Sequence, residues 1–271
     1  MSRKAFGELF ASLRAMSTDE IVTRFGMTYS EADGLVPALT IYKLFSDATS
    51  AEELIVPDVS IREGVLTSFA LGITSLTEGP FQRQVIASAR SLGRKFHYDS
   101  AHSDHVAMLS LQIFDQLQSE HGLGRRERVL LEAAAILHDI GNYIQVSGHH
   151  KHGQYIVANS EIFGFSADDI QVIGNLVRYH RKAHPNQSHG SYAALRRDQQ
   201  IVVQKLAAIL RVADALDRSH SQRVGAVRVD LSETECLLRC ESSGDLAVER
   251  RGLPDKADLF TAVFGYTVVL A

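Results

Sequence analysis

From about residue 80 to residue 220 apolar residues recur at helical spacing, and helix after helix carries an imidazole or carboxylate on its apolar stripe. His105 runs in step with Leu109, Ile113 and Leu117, His138 with Leu131, Ala134 and Ala135, and His180 with Ile173, Leu176 and Val177. His152 opens a helix in line with Tyr155 and Ile156, and Asp214 falls in the row Leu206, Leu210, Ala213. All of these residues sit on or beside the face that turns to the core. A buried, unpaired carboxylate is costly, so Asp139 and Asp214 need a counter-charge. One histidine on an apolar stripe is more often a hydrogen-bonded core residue, and Asp214 by itself could pair with Arg211. Five such positions on five segments, with Asp139 beside His138, point instead to divalent metal held between facing helices. The expected cofactor is one or two ions of manganese, iron, magnesium, zinc or nickel. His149 and His150 lie in a polar stretch and are expected to face solvent.

The flanking regions differ from this middle. Residues 1–75 read as α/β. Phe6, Leu9, Phe10 and Leu13 mark an amphipathic helix, "STDEIVTRF" a capped one, and residues 29 to 49 a third. "ELIVPDVS" reads as a short strand and "SIREGVLTSFAL" as a helix. A lone strand cannot satisfy its own backbone, so this one must find a partner; it is expected to pair with the tail's strands, within one chain or between the two chains of a homodimer. Past Arg223, "GAVRVDLS", "TECLLRCES" and "DLAVERR" read as three strands, "PDKADLFTAVFG" as a helix and "YTVVLA" as a last strand. The fold class is therefore mainly α: a helical domain at 76–222 between an α/β region at 1–75 and a small α+β tail at 223–271.

A net charge of −4 argues against a general binder of duplex nucleic acid. An anion site would have to be local. No apolar run approaches the ~20 residues of a membrane helix. Cys236 and Cys240 read as two reduced thiols, and the N-terminus has no signal-peptide core, so a cytoplasmic protein is expected.

The order His105, His138-Asp139, His152, His180, Asp214, with "ILHDIG" and "LRVADALDRS", resembles the HD superfamily of metal-dependent phosphohydrolases. The resemblance implies a one-metal set of His105, His138, Asp139 and Asp214, with His152 and His180 added in two-metal members. "SGHHKHGQYIVANSEIFGF", "LVRYHRK" and "IVPDVSIREGVL" are similar to the C-terminal part of the exopolyphosphatase and guanosine pentaphosphate phosphohydrolase family. By that resemblance, residues 1–75 are the end of an actin-like lobe and residues 76–222 an HD-type helical bundle. The Gly-rich phosphate loops of the actin-like part do not occur in this sequence, and Arg62 and Glu63 then read as a structural ion pair.

The resemblance implies hydrolysis of polyphosphate, guanosine penta- or tetraphosphate, or another nucleotide. His138 and Asp139 would be catalytic, with Asp139 bridging two ions ~3.5–4 Å apart. Many two-metal relatives carry lysine where this chain has Asn142, so Lys151, Arg181 and Lys182 are the expected substrate-binding cations. The alternative is a module that binds polyphosphate or nucleotide, or dimerises, without turnover.

Overall fold

A computed structural model describes residues 1–56 and 79–271, the side chains of 79 and 80 excepted. The chain divides into two compact units, Met1–Leu71 and Gly72–Ala271.

The described part of the first unit is helical: α1 (Arg3–Arg14), α2 (Thr18–Phe25) and α3 (Tyr29–Ala48). Ser17 and Thr28 cap α2 and α3, each with a glutamate three residues on closing a capping box. Gly26 ends α2 in the left-handed conformation. Leu13, Ile21 and Ala32 form the small core. The α/β reading of this region is corrected over the described residues. Over its described residues, Glu53 to Val56, the stretch expected to be a strand forms a single antiparallel bridge, Ser2 to Glu53, with Arg3 N–H donating to Glu52 O (2.8 Å) and Leu54 N–H to Met1 O (2.8 Å). Residues 1–3 of the same chain thus pair with Glu52 to Leu54, at the start of that stretch. Pro57 to Ser60, Arg62, Glu63 and the "SIREGVLTSFAL" helix lie outside the described residues.

The second unit is a helical bundle with a small sheet. Its main helices are α4 (Gly79–Lys95), α5 (Ser100–Gln116), α7 (Arg125–Leu137), α8 (His149–Ala158), α9 (Ala167–Tyr179) and α11 (Arg197–Ala215). Two single-turn helices, α6 (Gln118–His121) and α10 (Gly190–Ala193), connect them. The shared core is made by Leu109 and Ile113 of α5, Leu131 and Ala134 of α7, Ile173 and Val177 of α9, and Leu206 and Leu210 of α11. A mainly helical protein with a small sheet is therefore what the sequence periodicity predicted. Among the described residues, no helix is long and apolar enough to cross a membrane.

The tail contains β1 (Val224–Leu231), β2 (Glu235–Ser242), α12 (Ala247–Phe264) and β3 (Thr267–Leu270). β1 and β2 are antiparallel, while β3 joins β2 in parallel, which requires α12 as the crossover. "DLAVERR" is thus not a strand but the start of this helix. Asp245 Oδ1 accepts from Ala247 N–H, and Leu246, Glu249 and Leu253 bury one face at helical spacing. α12 packs along α11 and belongs to the same compact unit.

Arg211, fully buried in α11, joins these parts. Its guanidinium donates to Lys256 O (2.9 Å), Lys182 O (3.0 Å) and Asp258 Oδ1 (2.6 Å). Arg211→Met should cost about 2–4 kcal/mol in chemical denaturation, because buried carbonyls lose their donor. Asp258→Asn should cost less than about 1 kcal/mol, because that carboxylate is half-exposed.

Candidate metal centre

Four imidazoles meet in the middle of the bundle, and each is held the same way round. His138 follows the last turn of α7, and its Nδ1 lies 2.7 Å from Ala135 O. His180 follows α9, with Nδ1 2.7 Å from Val177 O. His149 opens α8, with Nδ1 2.9 Å from Val146 O. His102, in the first turn of α5, has Nδ1 2.8 Å from Asp217 Oδ2. Carbonyls and carboxylates only accept, so each Nδ1 carries a proton, and a ring with no second proton presents a lone pair at Nε2.

Those Nε2 atoms converge. His102 and His138 approach to 3.2 Å, and so do His149 and His180. Asp139 Oδ1 lies 3.1 Å from His149 Nε2, 3.5 Å from His180 Nε2 and 3.8 Å from His138 Nε2. Asp214 Oδ1 is 3.7 Å from His102 Nε2. Among the described residues, His102/His138/Asp214 and Asp139/His149/His180 each have potential ligand atoms within 4.8 Å of one another, and a third such group, His102/Asp139/His220, overlaps both. Ligands ~2 Å from a common ion are spaced in this range. Acceptor facing acceptor is unfavourable unless a ring takes a second proton or a cation lies between them. The donor set therefore fits one or two divalent ions, with Asp139 between the groups.

The charge states agree. Burial pushes the His138 and His180 imidazoles down, His180 well below its ordinary value with Lys256 adding to the effect, so both are neutral near pH 7. Burial alone would raise Asp139 and Asp214. At Asp214 the Lys256 ammonium outweighs it and holds the carboxyl well below the usual range, whereas Asp139 is held low only as the surrounding imidazoles take a second proton, the alternative to a cation between them. His102 also resists burial: the Asp217 hydrogen bond, then Asp214 and Asp139, raise its pKa.

Local sequence explains how the pieces come together. At Gly141, just after the doublet, a Cβ would meet His149 O at 2.0 Å and Gly153 N at 2.4 Å. The 3₁₀ turn at Ile140–Tyr143 therefore lies backbone to backbone against the first turn of α8, which sets His149 beside Asp139. Gly148, with φ 77°, supplies the left-handed residue from which α8 starts.

The structure brings His138, Asp139, His180 and Asp214 together, but places two expected ligands elsewhere. His105 is half-buried with an unpartnered Nε2 and belongs to neither group. His102, one turn earlier on the same stripe, points into the cluster. His152 is likewise outside both groups, and its stripe partner Tyr155 is exposed. α8 starts at His149, so His149 and His150 are buried rather than solvent-facing. Of the expected cations, Arg181 reaches the cluster, with Nη1 3.3 Å from His149 Nε2, whereas Lys151 and Lys182 line a neighbouring cavity.

Asp217, Lys256 and His220 were not anticipated. Lys256 of α12 bonds Asp214 Oδ2 and His180 O, and His220 stacks on His102 at 3.6 Å between ring centroids. Asp217 had a weak signal, three residues after Asp214 in "ADALD". Lys256 had none, because only the tertiary fold brings it in.

The fold and centre define a helical domain built around a buried His/Asp cluster suited to metal. Residues 85–250 match the family described as Ppx/GppA phosphatase, domain III, and the chain belongs to that family. It is 32% identical over 122 residues to the guanosine-5'-triphosphate,3'-diphosphate pyrophosphatase of Pseudoalteromonas atlantica, covering 43% of this chain and 24% of that protein. The protein of the same name from Pseudoalteromonas translucida is 26% identical over 179 residues, 66% of this chain and 34% of its own length. The one from Aeromonas hydrophila is 30% identical over 130 residues, 46% of this chain and 25% of its own length. The matched region thus spans roughly a quarter to a third of these curated relatives.

The backbone contact at Gly141 gives a direct test. Gly141→Ala should force α8 away from the doublet and lower stability by about 2–3 kcal/mol in denaturant titration. Gly190→Ala, where an added Cβ meets nothing within 4 Å, should change stability by less than about 1 kcal/mol.

Proposed function

We propose that this chain is a metal-dependent phosphohydrolase with an HD-type centre. In this reading it acts on polyphosphate or on guanosine penta- or tetraphosphate and related nucleotides. The observation that carries the reading is the convergence of four Nε2 lone pairs and two carboxylates, each imidazole fixed by a carbonyl or carboxylate at Nδ1. The relatives' names add a phosphoanhydride-cleaving activity, which belongs to proteins three to four times longer than the matched region. On the same reading, residues 1–75 correspond to the end of an actin-like lobe.

The ligands proposed are His102, His138 and Asp214 for one ion and Asp139, His149 and His180 for the other, with Asp139 shared. A bound divalent ion would lower the pKa of water and polarise a phosphoryl oxygen. The chain's own residues do the rest. Asp139, ionised and acceptor-only, orients the attacking water and takes its hydrogen bond. His138 and His180 are kept neutral and locked in one tautomer. Arg181 stands over the His149 side and Lys256 over the Asp214 side, so positive charge flanks the position where phosphoryl charge develops. Lys151 and Lys182 hold the rest of the anion.

Manganese-loaded protein should release phosphate from polyphosphate, a nucleotide or an aryl phosphate. Asp139→Ala should reduce that release roughly a hundredfold or more with an unchanged circular dichroism spectrum. Elemental analysis should show less metal in His149→Ala and an unchanged amount in His152→Ala. Asp217→Asn should weaken metal binding roughly 10–100-fold by freeing the His102 ring. Fully loaded wild-type protein that cleaves none of the three substrates would overturn the proposal.

A further inference from the structure

The third donor group differs from the other two in that its last histidine is open to solvent. His220 belongs to the loop between α11 and β1, residues 216–223. About 43% of its side chain is exposed, whereas the His102 ring is fully buried. Yet one ring nitrogen of His220 lies within 4.8 Å of ligand atoms of both His102 and Asp139. The two ligand sets proposed above leave this imidazole without a task.

The loop holds it in place against an unfavourable backbone. His220 and Gln222 have φ of 53° and 50°, left-handed conformations that crowd the Cβ of an L-residue. Asp217 pins the loop from below. Its carbonyl accepts from His220 N–H (2.9 Å), its Oδ1 from Gln222 N–H (2.7 Å) and its Oδ2 from Gln222 Nε2 (3.1 Å). From the tail, Oε1 of buried Glu249 accepts from Ser219 N–H at 3.1 Å. Backbone strain that its surroundings over-determine in this way gathers at functional sites.

The ring itself is set like a ligand. Its Nδ1 lies 3.1 Å from Asp99 Oδ2, while Asp99 Oδ1 accepts from His102 N–H (3.1 Å) at the start of α5. A carboxylate only accepts, so Nδ1 carries a proton and Nε2 is the nitrogen left to bind. Asp217 gives His102 the same arrangement. The two rings lie face to face, 3.6 Å between centroids and 12° between planes. Packing on His102 asks only for a flat ring. It needs neither a second nitrogen nor a carboxylate behind the first, and those are the features of a metal-binding imidazole.

We propose that His220 is a fifth imidazole ligand of the centre, binding a divalent ion on its solvent side together with Asp139 and His102. Two imidazoles and a carboxylate suit a first-row transition ion. Stacked rings present their nitrogens side by side, so His220 must turn its ring to share an ion with His102, and its exposed side leaves that turn open. The inference rests on the centre's holding metal, as proposed above, and not on its hydrolysing anything.

Cobalt(II) alone is the probe, titrated into the full chain after chelator treatment and followed by visible absorption. His220→Phe keeps a flat ring on His102 but has no nitrogen to offer. It should weaken uptake of at least one cobalt ion about tenfold or more and alter the visible spectrum. His184→Phe, at a half-exposed imidazole outside all three groups, should leave affinity within about twofold and the spectrum unchanged. Wild-type affinity and spectrum in His220→Phe would mean that the ring only packs, and would overturn the proposal. If that variant does not fold, proton NMR of the cobalt-loaded wild type decides, because a coordinated imidazole has its exchangeable N–H shifted far downfield. His102, His138, His149 and His180 account for four such signals, and His220 should add a fifth; four or fewer would overturn the proposal. Wild-type protein that takes up no cobalt would overturn the metal centre and this ligand with it. Uptake by the wild type that His220→Phe matches would overturn this ligand alone.

Discussion

Three imidazoles in this protein donate from Nδ1 to the carbonyl three residues before them: His138 to Ala135, His149 to Val146, and His180 to Val177. This short local bond does two jobs. It satisfies a carbonyl, which at the ends of α7 and α9 has lost its intrahelical partner. It also turns Nε2 outward along a fixed direction. A cluster assembled from helix ends needs little from any one helix except that it stop in the right place. Asp217 provides the equivalent bond for His102, whose position in the first turn of α5 leaves it no such carbonyl.

The electrostatics follow from that arrangement. Four rings turned lone-pair inward around two ionised carboxylates make a cavity that demands positive charge. The chain offers some of its own: Lys256 on Asp214 and Arg181 on His149. Both reach the cluster from its margin, one at each carboxylate-bearing side. Arg211 is the opposite kind of cation. It is buried, bonded to four groups, and ties α12 and the strained Lys182 to α11.

Much of this was legible in the sequence, and the two misplaced ligands show where legibility stops. His138, Asp139, His180 and Asp214, which the structure brings together, each lie next to an unambiguous apolar row. His105 and His102 lie three residues apart on α5, and both project toward the row through Leu109 and Ile113. With 3.6 residues per turn, pattern alone cannot choose between them. His152 was preferred to His149 because the helix start was set three residues too late. The left-handed Gly148 marks that boundary in the structure, but a glycine in a polar stretch is equally ordinary in a loop. "DLAVERR" was misread for a similar reason, since a short stretch with apolar residues two apart also fits the first turns of a buried helix. The parallel pairing of β2 with β3, visible only in three dimensions, decides for the helix.

The correction to the tail bears on the centre. As a separate strand-rich appendage, residues 223–271 would have no bearing on the cluster. As a β–α–β unit whose helix lies along α11, they deliver Lys256 to Asp214 and supply the Asp255 and Lys256 carbonyls and the Asp258 carboxylate that hold Arg211. Arg211 in turn fixes Lys182, which lines the cationic cavity. A chain of direct contacts therefore runs from the tail helix through one buried guanidinium to the cavity, and from the same helix through one ammonium to the His/Asp cluster. The tail is part of the site's construction: a helical domain cut off at residue 222 would lack the Lys256 ammonium on Asp214 and the tail acceptors that hold Arg211.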